Sequence, residues 1–172
     1  MLIVNENNSY QTIDYSPDCG KMFVCAGKLP ILEVYDEETL KRVVDLEKGA
    51  SGGHCNKILC AKFDSVNADI IYSGGWDRNV VIWDVRSGKS IGSINGPLIC
   101  GEAIDSDPRT HMILTGSHTI KEGIQLWDLR TLGQIQTIPW SIYKSTASAS
   151  TLTYCAKFIK PKKLSILACG IN

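Results

Sequence analysis

The sequence lacks most of the features that mark enzymes, membrane proteins and secreted proteins. Its seven cysteines (Cys19, Cys25, Cys55, Cys60, Cys100, Cys155 and Cys169) are odd in number and include no C-x-x-C pair. Several lie in apolar runs, such as 58–61 and 167–169, and so read as small buried hydrophobes rather than a disulfide framework. His54, Cys55 and Cys60 could supply three ligands but show neither the usual zinc spacing nor a fourth member, so no metal and no cofactor is expected. No apolar run approaches the length of a membrane span. Met1-Leu2-Ile3-Val4 has neither the basic flank nor the apolar length of a secretory signal. Basic and acidic residues stand at 18 each, which removes any bulk attraction to nucleic acid or an anionic membrane. A phosphate-cradling P-loop, a dinucleotide fingerprint and an HExxH helix are all absent. No stretch keeps helical periodicity over three turns. These absences set the expectation of a soluble, non-enzymatic protein of the cytoplasm, with the nucleus as the other setting.

What the sequence does contain is repetition. Its 172 residues, 44% of them apolar, suffice for one domain with a real core. Three segments end alike: Ile31-Leu32-Glu33-Val34-Tyr35-Asp36, Asn79-Val80-Val81-Ile82-Trp83-Asp84 and Gly123-Ile124-Gln125-Leu126-Trp127-Asp128. Their aromatic residues stand 48 and then 44 positions apart. A small-residue marker precedes each, as Ala26-Gly27, Ser73-Gly74 and Thr115-Gly116, and recurs as Cys169-Gly170. Short β-branched or aromatic runs alternate with turn residues: 58–63, 69–73, 79–84 and 90–94 in the second unit, and 10–15, 22–26, 31–36 and 40–46 in the first. A period of about 40–45 residues with four strands per unit is the signature of propeller blades. The expected fold is all-β, with blades over about 10–47, 54–95, 97–139 and 150–172, the last incomplete. Leu2–Val4 could serve as an outer strand, and more chain or a partner is expected to close the ring.

The middle unit resembles the WD-repeat family most closely, through Gly53-His54, Ser73, Asp77 and Trp83-Asp84. The resemblance spans nearly the whole chain and implies a hydrogen-bonded chain of Trp83, Ser73, His54 and Asp77. The first and third units lack the Gly-His and the Asp of this pattern. Ser73, His54 and Asp77 are also the residue types of a hydrolase triad, yet nothing around Ser73 forms a nucleophile elbow.

Two surfaces carry the binding expectation, both placed by the same resemblance. The loops joining strands b to c and d to a would present Lys28, Leu29, Lys57, Trp76, Arg78, His118 and Lys121 on one face. Trp76, with Arg78 two positions on, has the composition of an interface hot spot; the alternative is that Trp76 packs down on its own blade. On the opposite face Trp83-Asp84-Val85-Arg86 and Trp127-Asp128-Leu129-Arg130 both read W-D-x-R. Tandem boxes of this kind resemble those of WD-repeat substrate receptors, in which the arginine, here Arg86 and Arg130, docks on a cullin–RING ubiquitin ligase adaptor. In many other WD-repeat proteins the same arginine is a solvated turn residue. The run 157–163 is basic enough for a nuclear-import or phosphate contact, although its place in the blade favours a solvated turn, and 145–151 reads as a flexible polar connection. Partners are expected to be proteins or peptides, with no nucleic acid and no membrane.

Overall fold

The computed structural model describes residues 6–139, 151–159 and 165–171. Among these residues there are only strands, and no helix is long and apolar enough to cross a membrane. The first sheet runs β1 (Tyr10–Tyr15), β2 (Met22–Gly27), β3 (Leu32–Asp36) and β4 (Arg42–Leu46). The second is β5 (Ile58–Phe63), β6 (Ile70–Gly75), β7 (Asn79–Asp84) and β8 (Lys89–Asn95). The third is β9 (Ile104–Asp107), β10 (Met112–Gly116), β11 (Ile124–Asp128) and β12 (Gln134–Ile138), and β13 (Leu152–Ile159) pairs with β14 (Ser165–Ile171). All pairings are antiparallel between sequence neighbours, so each sheet is a meander, as the strand rhythm predicts. Leu2–Val4, residues 145–150 and the lysines at 160, 162 and 163 lie outside the described residues.

Burial rises from the rim of each sheet toward its middle. In the first three sheets the second and third strands are buried on both faces (β7 from Val80 to Trp83, β11 from Ile124 to Trp127), which explains their largely apolar sequences. The outer strands β4, β8 and β12 are largely exposed. A sheet covered on both faces needs a neighbour on each side, and the cores accordingly lie between sheets. Val24, Leu32 and Val34 of the first sheet pack with Phe63, Ile71 and Trp83 of the second. Tyr72, Val80 and Ile82 pack with Ile104, Ile113 and Trp127 of the third, and Leu114 and Leu126 with Ala156 and Phe158. The four sheets are therefore consecutive blades, with β1, β5, β9 and β13 as the inner strands in mutual contact.

Side chains lock these inner strands in register. Asp14 on β1 accepts the Phe63 N–H of β5 at 2.8 Å, and Asp105 on β9 accepts the Phe158 N–H of β13 at 2.8 Å. Thr12 accepts the Ala61 N–H at 3.2 Å and donates to Glu102 at 2.9 Å. Glu102 also meets Lys157 at 3.3 Å, and Lys62 meets Asp105 at 3.5 Å.

Strand register corrects two expectations. Phe23 pairs with Tyr35, Ile71 with Trp83 and Ile113 with Trp127. Cys25, Ser73 and Thr115 are thus equivalent, and Ala26-Gly27 matches Gly74-Gly75 rather than Ser73-Gly74. The cysteines are not uniformly buried either: Cys25 and Cys60 are, Cys100 and Cys155 are intermediate, and Cys19, Cys55 and Cys169 are exposed. Cys169 lies on β14, which has only β13 beside it among the described residues.

Glycine recurs at one place in three of the four blades, the third carrying Ser117 there. A Cβ on Gly27, Gly75 or Gly170 would stand 2.0, 2.0 or 2.2 Å from the carbonyl oxygen of Ser9, Lys57 or Leu152, the residues that lead into the inner strands or open them. Gly75→Ala should destabilise the chain by about 1–3 kcal/mol by overpacking. Gly49→Ala, whose Cβ would meet nothing within 4 Å, should leave the urea midpoint unchanged; equal midpoints for the two variants would contradict this packing.

Candidate functional site

The middle blade holds a continuous buried polar chain. The Trp83 indole N–H donates to Ser73 Oγ at 2.7 Å, Ser73 Oγ lies 2.8 Å from His54 Nε2, and His54 Nδ1 lies 2.8 Å from Asp77 Oδ2. One assignment satisfies every group: the Ser73 hydroxyl donates to Nε2, and Nδ1–H donates to the carboxylate. Asp77 also accepts the Cys55 and Asn79 N–H groups at 3.0 and 3.3 Å, tying the b–c turn to the segment before β5. Burial by itself would push the Asp77 carboxyl up, but the His54 and main-chain hydrogen bonds outweigh it and hold the group below its ordinary range. Ser73 and Trp83 are 0% exposed and His54 is 1% exposed, so the serine has no opening to a substrate.

The flanking blades solve the same problem with fewer or different parts. In the third, Trp127 donates to Thr115 Oγ1 at 2.9 Å, with no histidine or aspartate behind it. In the first, Tyr35 donates to the buried Glu33 at 2.6 Å; Tyr10 donates to the same oxygen, and Arg42 pairs with it at 2.9 Å. Sequence reasoning missed Glu33, because an acid inside an apolar strand announces itself only once Tyr10 and Arg42 are folded around it.

The loop face is built on main-chain bonds that repeat from blade to blade. Lys28, Trp76 and His118 each donate a backbone N–H to the residue leading toward the inner strand: Ser9 at 3.1 Å, Lys57 at 3.2 Å and Leu98 at 2.8 Å. These three predicted residues therefore occupy one equivalent position on adjacent blades. Trp76 is 47% exposed, so it neither projects fully nor folds away. The Lys57 ammonium sits 3.2 Å from the centre of its ring, a cation–π contact. Burial raises the Cys100 thiol, with Trp76 and Lys57 opposing that rise.

Beside Trp76 lies a cavity of about 490 Å³ lined by Leu59, Trp76, Leu98, Cys100, His118 and Tyr154. The His118 and Tyr154 rings are tilted against each other with centroids 4.7 Å apart. His118 Nδ1 is buried with no hydrogen-bond partner among the described residues. The structure thus brings Trp76, Lys57 and His118 together; Lys28, Arg78 and Lys121 are exposed on the same face but do not line the cavity, and Leu29 is half-buried. Leu59, Leu98, Cys100 and Tyr154 carry no individual signal in the sequence.

On the opposite face each Trp-Asp or Tyr-Asp ending closes a turn. Asp36 accepts the Thr39 N–H at 2.7 Å, Asp84 the Arg86 N–H at 3.0 Å, and Asp128 the Arg130 N–H at 2.7 Å. The two arginine side chains are 79% and 72% exposed, with single ion pairs to Asp69 at 3.9 Å and Asp128 at 3.4 Å. Beside Arg130 a smaller crevice between the second and third blades is lined by Tyr72, Ile82, Leu129 and Leu132.

Removing the shared acceptor should show in stability. Ser73→Ala strands both the Trp83 N–H and His54, and should cost more than Thr115→Val, which strands one donor; each loss is expected at about 1–3 kcal/mol per group. Because the Asp77 pKa is lowered on folding, its contribution is complete at neutral pH and is lost as pH falls through the folded value. The gap between the native chain and Asp77→Asn in chemical denaturation should therefore narrow below about pH 4.

No protein-family model matches the chain. It is 29% identical to "Histone acetyltransferase type B subunit 2" of Candida glabrata over 67% of the chain and 25% of that protein. It is 32% identical to "Mitotic checkpoint protein bub-3" of Caenorhabditis elegans over 53% of the chain and 26% of that protein. The chain thus spans about a quarter of the length of these curated relatives. Among solved structures, the RRP9 WD40 repeats and U3-55K each superpose with a TM-score of 0.72 and 15% identity, covering 90% of the chain and 43% and 44% of those proteins. In fold, this chain is a stretch of WD-repeat β-propeller.

Proposed function

We propose that the protein is a non-catalytic interaction scaffold, working in the cytoplasm or nucleus, whose partners dock on the loop face around Trp76. The observation that carries this reading is a half-exposed indole fixed at two points: its main chain on Lys57 and its ring under the Lys57 ammonium. A rigid, amphipathic anchor beside an apolar cavity loses little entropy on binding, which is what hot-spot residues require. The burial of Ser73 and the use of its oxygen by Trp83 and His54 oppose a catalytic reading. The name of one relative, a subunit of a histone acetyltransferase, accords with work inside an assembly. Trp76→Ala combined with Arg78→Ala should abolish recovery of partners in affinity purification while the unfolding transition is kept. Undiminished recovery would count against the loop face.

A second reading rests on the exposure of Arg86 and Arg130 at equivalent turns of adjacent blades. Under it the protein is a substrate receptor for a cullin–RING ligase, with both guanidiniums docking on the adaptor. Arg86→Ala with Arg130→Ala should then release the adaptor and spare loop-face partners; an adaptor absent from native purifications would end this reading.

A further inference from the structure

We infer that the loop face takes an extended acidic peptide that seats one apolar side chain in the cavity between Trp76 and Tyr154. This rests on the loop-face reading above and names the chemistry of the partner. Four of the five arginines, Arg42, Arg86, Arg109 and Arg130, have a carboxylate within ion-pair distance. Arg78 is the exception, and Lys28, Lys57 and Lys121 share its lack of a carboxylate partner among the described residues. Asp77, the acid next to Arg78, is turned inward with its side chain 3% exposed and engaged by His54. The exposed acids of the same loops are Glu122 in the third b–c loop and Glu6 and Glu47 in the segments that lead into β1 and β5. Lys57 on the Trp76 ring and Arg78 two residues on therefore bring unpaired positive charge to the edge of a cavity whose lining includes no carboxylate.

The aromatic rings decide between a peptide and single-stranded nucleic acid, which also favours cations and aromatics. Bases need open ring faces on which to stack. Here Lys57 covers one face of Trp76, and Tyr154 and His118 lean on each other. What stays open is a hole with an apolar wall, of a volume typical of small-ligand sites. A side chain such as leucine or phenylalanine fits within it, while flanking carboxylates reach Lys57 and Arg78.

Arg78 supplies a clean variant. Its φ of 57° is the left-handed conformation that glycine adopts without cost, so Arg78→Gly removes the charge and relieves the backbone. The probe is a short fluorescent peptide of aspartate and glutamate around a central leucine–phenylalanine pair, read by anisotropy. Binding should weaken about tenfold or more in Arg78→Gly and in Trp76→Ala, fall with added salt, and be lost when glycine–serine replaces the apolar pair. The urea midpoint of Arg78→Gly should be unchanged or raised. The inference is overturned if Arg78→Gly leaves peptide affinity intact, if the peptide without the apolar pair binds as well, or if oligouridylate binds in its place. Peptide failure with partner recovery still lost in the Trp76 and Arg78 double variant would sink the acidic-peptide inference alone. Insensitivity of both would remove the loop-face reading as well.

Discussion

A carboxylate on one inner strand that captures a main-chain N–H of the next is the contact on which the remaining architecture depends. Each blade is a small meander whose middle strands are apolar on both faces, and no such sheet is stable with those faces in water. Stacking blades buries them, but apolar stacking alone leaves the sheets free to slide. Asp14 on Phe63 and Asp105 on Phe158 fix the offset between neighbours with directional, charge-assisted bonds. Once that offset is set, Trp83 falls against the first blade and Phe158 against the third, and those cores close.

The same offset explains why the tryptophan–hydroxyl bond recurs while its surroundings vary. A buried indole N–H must find an acceptor, and Ser73 and Thr115 stand where register delivers one. In the first blade Cys25 holds that position, and the ring opposite is Tyr35, whose hydroxyl turns instead to Glu33. The cost of burying Glu33 is offset by two phenolic donors and Arg42.

Much of this was legible in the sequence, and the rest was hidden for identifiable reasons. The Trp-Asp endings mark both a buried ring and the carboxylate that caps the following turn, so the blade period is visible by eye. Ala26-Gly27 looks equivalent to Ser73-Gly74 because both pair a small residue with glycine; only the pairing of Phe23 with Tyr35 shows the one-residue offset. Trp76 and Lys57 could be singled out as turn residues of unusual chemistry. Leu59, Leu98, Cys100 and Tyr154 could not, since they come from three different blades and meet only after the inner strands are aligned.

The bonds that hold Lys28, Trp76 and His118 in place run from backbone to backbone, and they ask nothing of the side chain that follows. A cation, an indole and an imidazole stand at the same geometric address on neighbouring blades, each supported by an identical amide-to-carbonyl bond. Architecture and display are therefore written in separate atoms. A blade can exchange the group it shows to the outside without renegotiating its core, and the surface can change its ligand chemistry one blade at a time.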